Sequence, residues 1–253
     1  MRRIVLAMIA IIMLAAPGVP TPARADNSAG ASVDIMSQYV WRGIAFSNGL
    51  VMQPSVDFNL GALNVNMWSN IDMDPMGTEE SSYYNETDLT IGYSLPFEAL
   101  DMSVGYIYYS LGDPALDTHE VYLNMAKGLG PVTPYLNIYY DLDEGSGIYA
   151  QLGADYGMQL SEKASLSVGA YVSYVMDNKV MLVDSLGEET SDLYNAEISV
   201  GLEYAASDTL SISPMLSYST SMSDDAEAAI KGMSFDGDTD SVTYGGVSLA
   251  LGF

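Results

Sequence analysis

The sequence predicts an all-β protein, a transmembrane antiparallel β-barrel of about twelve strands with an N-terminal signal peptide. Three observations carry that prediction. Apolar and polar residues alternate with a period of two in one segment after another, the pattern of strands with different solvents on their two faces. Beyond the N-terminus, no stretch holds the roughly twenty consecutive apolar residues that a spanning helix needs. The connections between segments are alternately short and turn-like, then longer and often acidic.

Met1-Arg2-Arg3 is a basic start, Ile4 to Ala16 an apolar run, and Ala23-Arg24-Ala25 an A-x-A cleavage site. Together they read as a secretory signal. We expect residues 1–25 to be that signal peptide and residues 26–253 to form the barrel. The apolar run is too short to span a bilayer comfortably as a helix, so a mature protein held in a membrane must cross it as strands. The chain has no Cys, which excludes disulfides, thiol chemistry and lipid attachment at cysteine. Nineteen Tyr and twenty-three Gly among few charged residues suit a Tyr-rich barrel better than a helical enzyme. Removing three arginines with the signal leaves five basic residues against thirty-three acidic ones, a formal charge of −28. Such a surface repels nucleic acid, whose affinity rests on Lys and Arg meeting phosphates.

Taken in order, the alternating segments lie at about 32–42, 49–60, 62–71, 83–95, 100–111, 118–127, 132–142, 147–158, 164–176, 191–204, 209–220 and 241–253. Each matches the nine to eleven residues, or somewhat more, of a tilted spanning strand. An even number places both chain termini on the periplasmic side. Short turns follow every second segment, at Gly61-Ala62, Pro96 to Glu98, Gly128 to Pro131, Gln159 to Lys163 and Ala205 to Asp208. The long acidic connections, at about 72–82, 177–190 and 221–240, all fall at the other end, as outer loops do. A soluble sandwich has no reason for that asymmetry.

Parity assigns the faces. Leu166, Val168, Val172 and Tyr174 point out to lipid, with Ser165, Ser167, Tyr171 and Ser173 inward. The closing segment sets Val247, Leu249, Leu251 and Phe253 outward, opposite Tyr244, Ser248 and Ala250. Tyr93, Tyr108, Tyr140, Tyr156, Tyr174, Tyr194, Tyr204 and Tyr218 fit interfacial girdles. Pro54, Pro134 and Pro214 lack an N–H, so bulges are expected there.

By the same parity the lumen carries Asp34, Asp57, Asp88, Glu120, Asp141, Asp155, Glu197 and Glu203, with Arg42 as its clear inward base. Rings of carboxylates attract cations and repel anions, and low-dielectric walls strengthen the field. The expected function is therefore a porin-like channel for passive diffusion of small solutes, preferring cations. The alternative is a non-conducting barrel acting in adhesion, ligand binding or envelope structure through its acidic outer loops.

Ser37 to Asn70 carries the most distinctive text, with Tyr39-Val40-Trp41-Arg42-Gly43-Ile44, Gln53, Gly61 and Trp68-Ser69-Asn70. It resembles the TorF-type porin family of bacterial outer-membrane barrels. Gly92-Tyr93-Ser94, Gly105-Tyr106 and Glu120-Val121-Tyr122 extend the likeness more weakly. The resemblance implies a Gram-negative outer-membrane location and a porin-like role, and it fixes no substrate. The final strand ending in Phe253 is also similar to the closing strand of such barrels. There the terminal aromatic is an assembly signal, which implies the barrel-assembly machinery as a partner beside outer-membrane lipid and lipopolysaccharide. Arg42 has two readings. It either pairs with lumen carboxylates such as Asp57 or Asp88 and holds the mouth open, or ends its strand at the interface and reaches lipid phosphates.

Catalysis has weak support. Some outer-membrane barrels are hydrolases built on a His, and the one His here, His119, lies beside Asp117, Thr118 and Glu120 with no spacing that singles out a Ser. We expect no enzyme, no cofactor and no metal site. Asp236-Gly-Asp-Thr-Asp240 starts like a calcium loop, but Ser241 stands where Gly is needed and Val247 where Glu is.

Overall fold

The computed structural model describes residues 27–74, 83–112, 114–183 and 187–253. The signal expected at 1–25 and most of the connection expected at 72–82 lie outside these residues. The strands are β1 (Ser28–Met36), β2 (Val40–Trp41), β3 (Ile44–Ala45), β4 (Val51–Leu60), β5 (Leu63–Asp72), β6 (Tyr83–Leu95) and β7 (Asp101–Leu111). They continue as β8 (Thr118–Ala126), β9 (Val132–Asp141), β10 (Ile148–Ser161), β11 (Ala164–Met176), β12 (Ser191–Ala205), β13 (Leu210–Ser221) and β14 (Ser241–Gly252). Among the described residues one α-helix, α1 (Asp224–Met233), sits in the last loop.

Among the described residues, β1 and β4 to β14 form a closed barrel of twelve strands. Neighbours are antiparallel throughout, and β1 closes the circle by pairing with both β4 and β14. Closure leaves no strand edge unpaired, as a membrane-spanning sheet requires. Phe253 adds a last rung, its N–H donating to the Ala29 carbonyl while Ala29 N–H donates back. No helix among the described residues is long and apolar enough to cross a membrane.

The faces follow parity. Asn66, Ser103, Ser165, Ser167 and Ser217 are buried within, while Phe58, Met67, Leu152, Leu216 and Leu249 are exposed on the outside. In water that exposed belt would be a large apolar patch; against lipid it is the required surface. Tyr93, Tyr156 and Tyr204 mark one rim of the belt, with Tyr140, Tyr174 and Tyr218 near the other.

Three expectations are corrected. The first strand is 28–36, not 32–42, because Val40-Trp41 and Ile44-Ala45 form their own hairpin. Arg42 (φ 51°) and Gly43 (φ 87°) form its two-residue turn, with positive φ at both positions as a type I′ hairpin demands. The prolines do not create bulges. The β4–β5 and β12–β13 ladders skip a few pairs beside Pro54 and Pro214 and resume in the same register, and Pro134 lies in an unshifted β9–β10 register. Register shifts lie instead near Asn70/Ile71, Gln159/Ser161 and Val172/Tyr174. The last of these explains the third correction: opposite this shift, Tyr194 and Asn195 are both fully buried, so Tyr194 belongs to the interior and not to the girdle.

Inward glycines admit flat tyrosines. Gly92 pairs with Gly105, which in turn pairs with Tyr122. A Cβ on Gly105 would stand 2.5 Å from the Ile91 carbonyl oxygen and closer still to the Tyr122 ring, whereas one on Gly92 would meet at 2.5 Å only the mobile hydroxyl end of Tyr122. Gly105→Ala is therefore expected to destabilise the barrel by about 1–3 kcal/mol through overpacking. Gly92→Ala should cost clearly less, and urea unfolding in detergent tests that order.

A lidded lumen as the candidate functional site

Three segments fold over the loop end of the barrel. The β2–β3 hairpin enters first. Phe46 N–H donates to the Tyr39 carbonyl (2.8 Å), and Tyr39 is buried between Phe46 (5.4 Å) and Trp68 (5.5 Å). Segment 177–183 follows, where the buried Asn178 side chain accepts from the N–H groups of Val180 (3.0 Å) and Met181 (2.8 Å). That turn drives Met181 and Leu182 into the interior.

Helix α1 completes the lid. Ser223 caps it by accepting from Ala226 N–H, acids fill its first turn, and Lys231 in the last turn meets Glu227 at 2.7 Å. Ala226 and Ile230, four residues apart, therefore share one face. Both are fully buried in a cluster with Ile44, Tyr149, Val175, Met181, Leu182 and Tyr194. Backbone bonds tie the lid together: Phe235 N–H donates to the Ala45 carbonyl (2.8 Å), and Lys179 N–H to the Gly145 carbonyl (2.8 Å).

Arg42 is the centre of this arrangement. Its guanidinium donates to both oxygens of Glu120, at 2.8 and 2.7 Å. The two side chains are only 6% and 3% exposed. Tyr109 adds a third bond to the same carboxylate (2.9 Å). The guanidinium carbon lies 4.4 Å from the Trp41 ring centroid, 4.9 Å from Tyr139 and 4.2 Å from Tyr149, a stack of cation–π contacts. Burial opposes the Arg42 charge, but Glu120 and its neighbours outweigh that, so its pKa is raised above the ordinary value. Arg42 thus pairs with a lumen carboxylate, as one reading expected, but the partner is Glu120 and not Asp57 or Asp88, and the buried guanidinium does not reach lipid. It pins the lid to Glu120 in the barrel wall.

Beneath the hairpin lies a cavity of about 280 Å³. Trp41 and Arg42 come from the lid, and Asp88, Asp155, Glu197, Tyr122, Tyr135, Tyr171 and Tyr244 from the walls. Of the expected site residues, Arg42, Asp88, Asp155 and Glu197 meet here. Asp34 is buried on β1 and Asp57 accepts from Asn66 (2.7 Å), both away from the cavity lining. Glu120 is the partner of Arg42, and Glu203 lies on β12 toward the turn end. Asp141 organises a loop, accepting from Thr118 (2.9 Å) and from the N–H groups of Asp143, Gly145 and Ser146. Phe253 is 74% exposed at the turn end.

Comparison with known proteins bears on the fold. No family model matches the sequence, and a search of curated proteins found no match. Among solved structures, the NanC porin superposes with a TM-score of 0.56 at 10% identity, covering 87% of this chain and 98% of that one. An outer-membrane channel from Pseudomonas putida F1 gives a TM-score of 0.49 at 10% identity, covering 93% and 100%. The outer-membrane phospholipase A from Escherichia coli gives 0.46 at 14%, covering 88% and 89%. The chain has the fold of an outer-membrane β-barrel. At such identities the likeness speaks to fold alone.

The other motifs resolve into local roles. His119 alternates with the inward Glu120, stacks on Tyr106 (5.9 Å), and lies 3.8 Å from the exposed Asp143, away from the cavity. Asp236 closes its own turn, accepting from the N–H groups of Asp238 (3.0 Å) and Thr239 (2.9 Å), which hold its carboxyl below the usual range. Sequence reasoning missed the lid. The helix had a readable signal in Ser223 followed by acids and then Ala226 and Ile230, a capped start with a four-residue apolar spacing. Tyr139, Tyr149 and Met181 had none, since only the closed barrel brings them to Arg42.

Proposed function

We propose that this barrel is a lidded outer-membrane pore for passive diffusion of small solutes, with a preference for cations. One observation carries the reading. Three carboxylates, Asp88, Asp155 and Glu197, line the cavity together with Arg42, a lid cation already matched by Glu120. Glu197 accepts from the hydroxyls of Tyr171 (3.3 Å) and Tyr244 (3.1 Å), bonds that orient the charge without cancelling it. In a narrow lumen with low-dielectric walls, unmatched negative charge concentrates cations. The outer-membrane location, the lipopolysaccharide and assembly-machinery partners, and the TorF-type kinship belong to the same proposal, as does cleavage after residue 25.

The test is single-channel recording in a planar bilayer under a salt gradient. A cation-positive reversal potential is expected, falling toward zero when Asp88, Asp155 and Glu197 are replaced together by Asn, Asn and Gln. A folded barrel passing no current even with its lid released would favour the non-conducting alternative. An unchanged reversal potential in the triple variant would refute the role of these three carboxylates.

A further inference from the structure

We propose that the cavity under the lid is a saturable binding site for a small organic cation bearing N–H donors, a primary ammonium ion. The proposal deepens the pore reading above and rests on it for how the ligand arrives. It starts from hydrogen-bonding capacity that the protein leaves unused. Asp88 is 7% exposed and Asn124 is 6% exposed; both line the cavity, and the Oδ1 of each has no hydrogen-bond partner. Buried acceptors without donors cost free energy, and cases that persist call for an explanation. Both atoms are acceptors and both lie nine-tenths buried. A ligand that supplies N–H groups completes them.

Charge narrows the class. Asp88 on β6 and Asp155 on β10 stand on walls separated by β7, β8 and β9, with Glu197 on β12. Spread around the lumen, they surround the space with negative charge, which suits an organic cation, and no cluster among the described residues has the donor set to cage a metal ion. The remaining wall supplies tyrosine faces. Tyr122 and Tyr139 lie 6.1 Å apart, Tyr139 and Tyr149 6.2 Å apart, and Tyr135 and Tyr171 also line the space. Aromatic faces with carboxylates between them favour an organic cation over an anion or a strongly hydrated metal. A volume of about 280 Å³ accommodates a small molecule.

The chain's two Trp residues report on this site, since Trp41 roofs the cavity and Trp68 lines its wall. Trp fluorescence of the refolded protein is titrated at constant ionic strength with butylammonium, tetramethylammonium, butyrate and glucose. A saturable change with butylammonium, weaker with tetramethylammonium and absent with butyrate and glucose, is expected. Asp88→Asn should weaken butylammonium binding by about tenfold, the loss of one charge-assisted hydrogen bond, and Asp155→Asn by less, since a single ammonium bonded at Asp88 feels the far wall only through its field. Equal responses to butylammonium and tetramethylammonium would overturn the role of the N–H donors. Saturation by glucose or butyrate, or no saturation at all, would overturn the site, and neither result needs a variant to fold. Channel recording runs beside it. Current without saturable binding sinks the site and spares the pore, whereas binding without current does the reverse.

Discussion

Glu120→Gln should release the lid and raise single-channel conductance. The replacement keeps the shape of the side chain but removes the one charge that, among the described residues, matches Arg42 at bonding distance. Arg42 would be left as a cation 6% exposed among three aromatic rings. Stranding one partner of a buried ion pair costs about 3–5 kcal/mol. A molecule can avoid that cost if the charged group regains water. Here the regaining path is short, because Arg42 stands at the tip of a hairpin and not on a barrel strand. The lid should therefore swing out while the barrel stays closed, and the loss of global stability should be smaller than the local cost. Trp41 leaves with the hairpin, so its emission should shift to the red as conductance rises. Arg42→Met combined with Glu120→Met should keep the lid shut, since an apolar pair strands no charge. Unchanged conductance and emission in Glu120→Gln would show that the ion pair does not hold the lid.

How much of this was legible in the sequence differs sharply between wall and lid. The wall was legible because each face of a strand meets one solvent, and period two records it directly. Segments 83–95 and 164–176 match their strands residue for residue. The carboxylates Asp88, Asp155 and Glu197 are inward for the same reason. The lid was not legible because its contacts join distant parts of the chain. Arg42 and Glu120 are 78 residues apart, and eight acids of the same parity competed for that role. The text around Arg42 also misled, since Val40-Trp41 prolongs the alternation of β1 beyond its true end at Met36. Gly43 was the sole local warning, and a single Gly within a strand pattern has several readings. Tyr194 failed on the other side of the same logic. Parity presumes an unbroken register, and the shift between β11 and β12 breaks it one residue earlier.

Ile230→Asp should release the lid by a different route, and comparing it with Glu120→Gln separates the two anchors. Ile230 is fully buried on α1, packed with Ala226 against a cluster that includes Ile44 of the hairpin and Leu182 of segment 177–183. Truncating such a residue to Ala costs about 2–5 kcal/mol. An unpaired carboxylate there costs more, because burial penalises the charge on top of the lost contacts. The helix lies in a loop, held by its cap, by the Phe235 to Ala45 bond and by this face. It should undock before any strand pair breaks. Protease cleavage within 221–240 should then become fast while the barrel remains intact. Conductance should rise as it does in Glu120→Gln, but with Arg42 still paired to Glu120 the hairpin should move less and Trp41 emission should shift little. If Ile230→Asp exposes the loop to protease and leaves conductance unchanged, then α1 only covers the hairpin, and the constriction belongs to Trp41 and Arg42 alone.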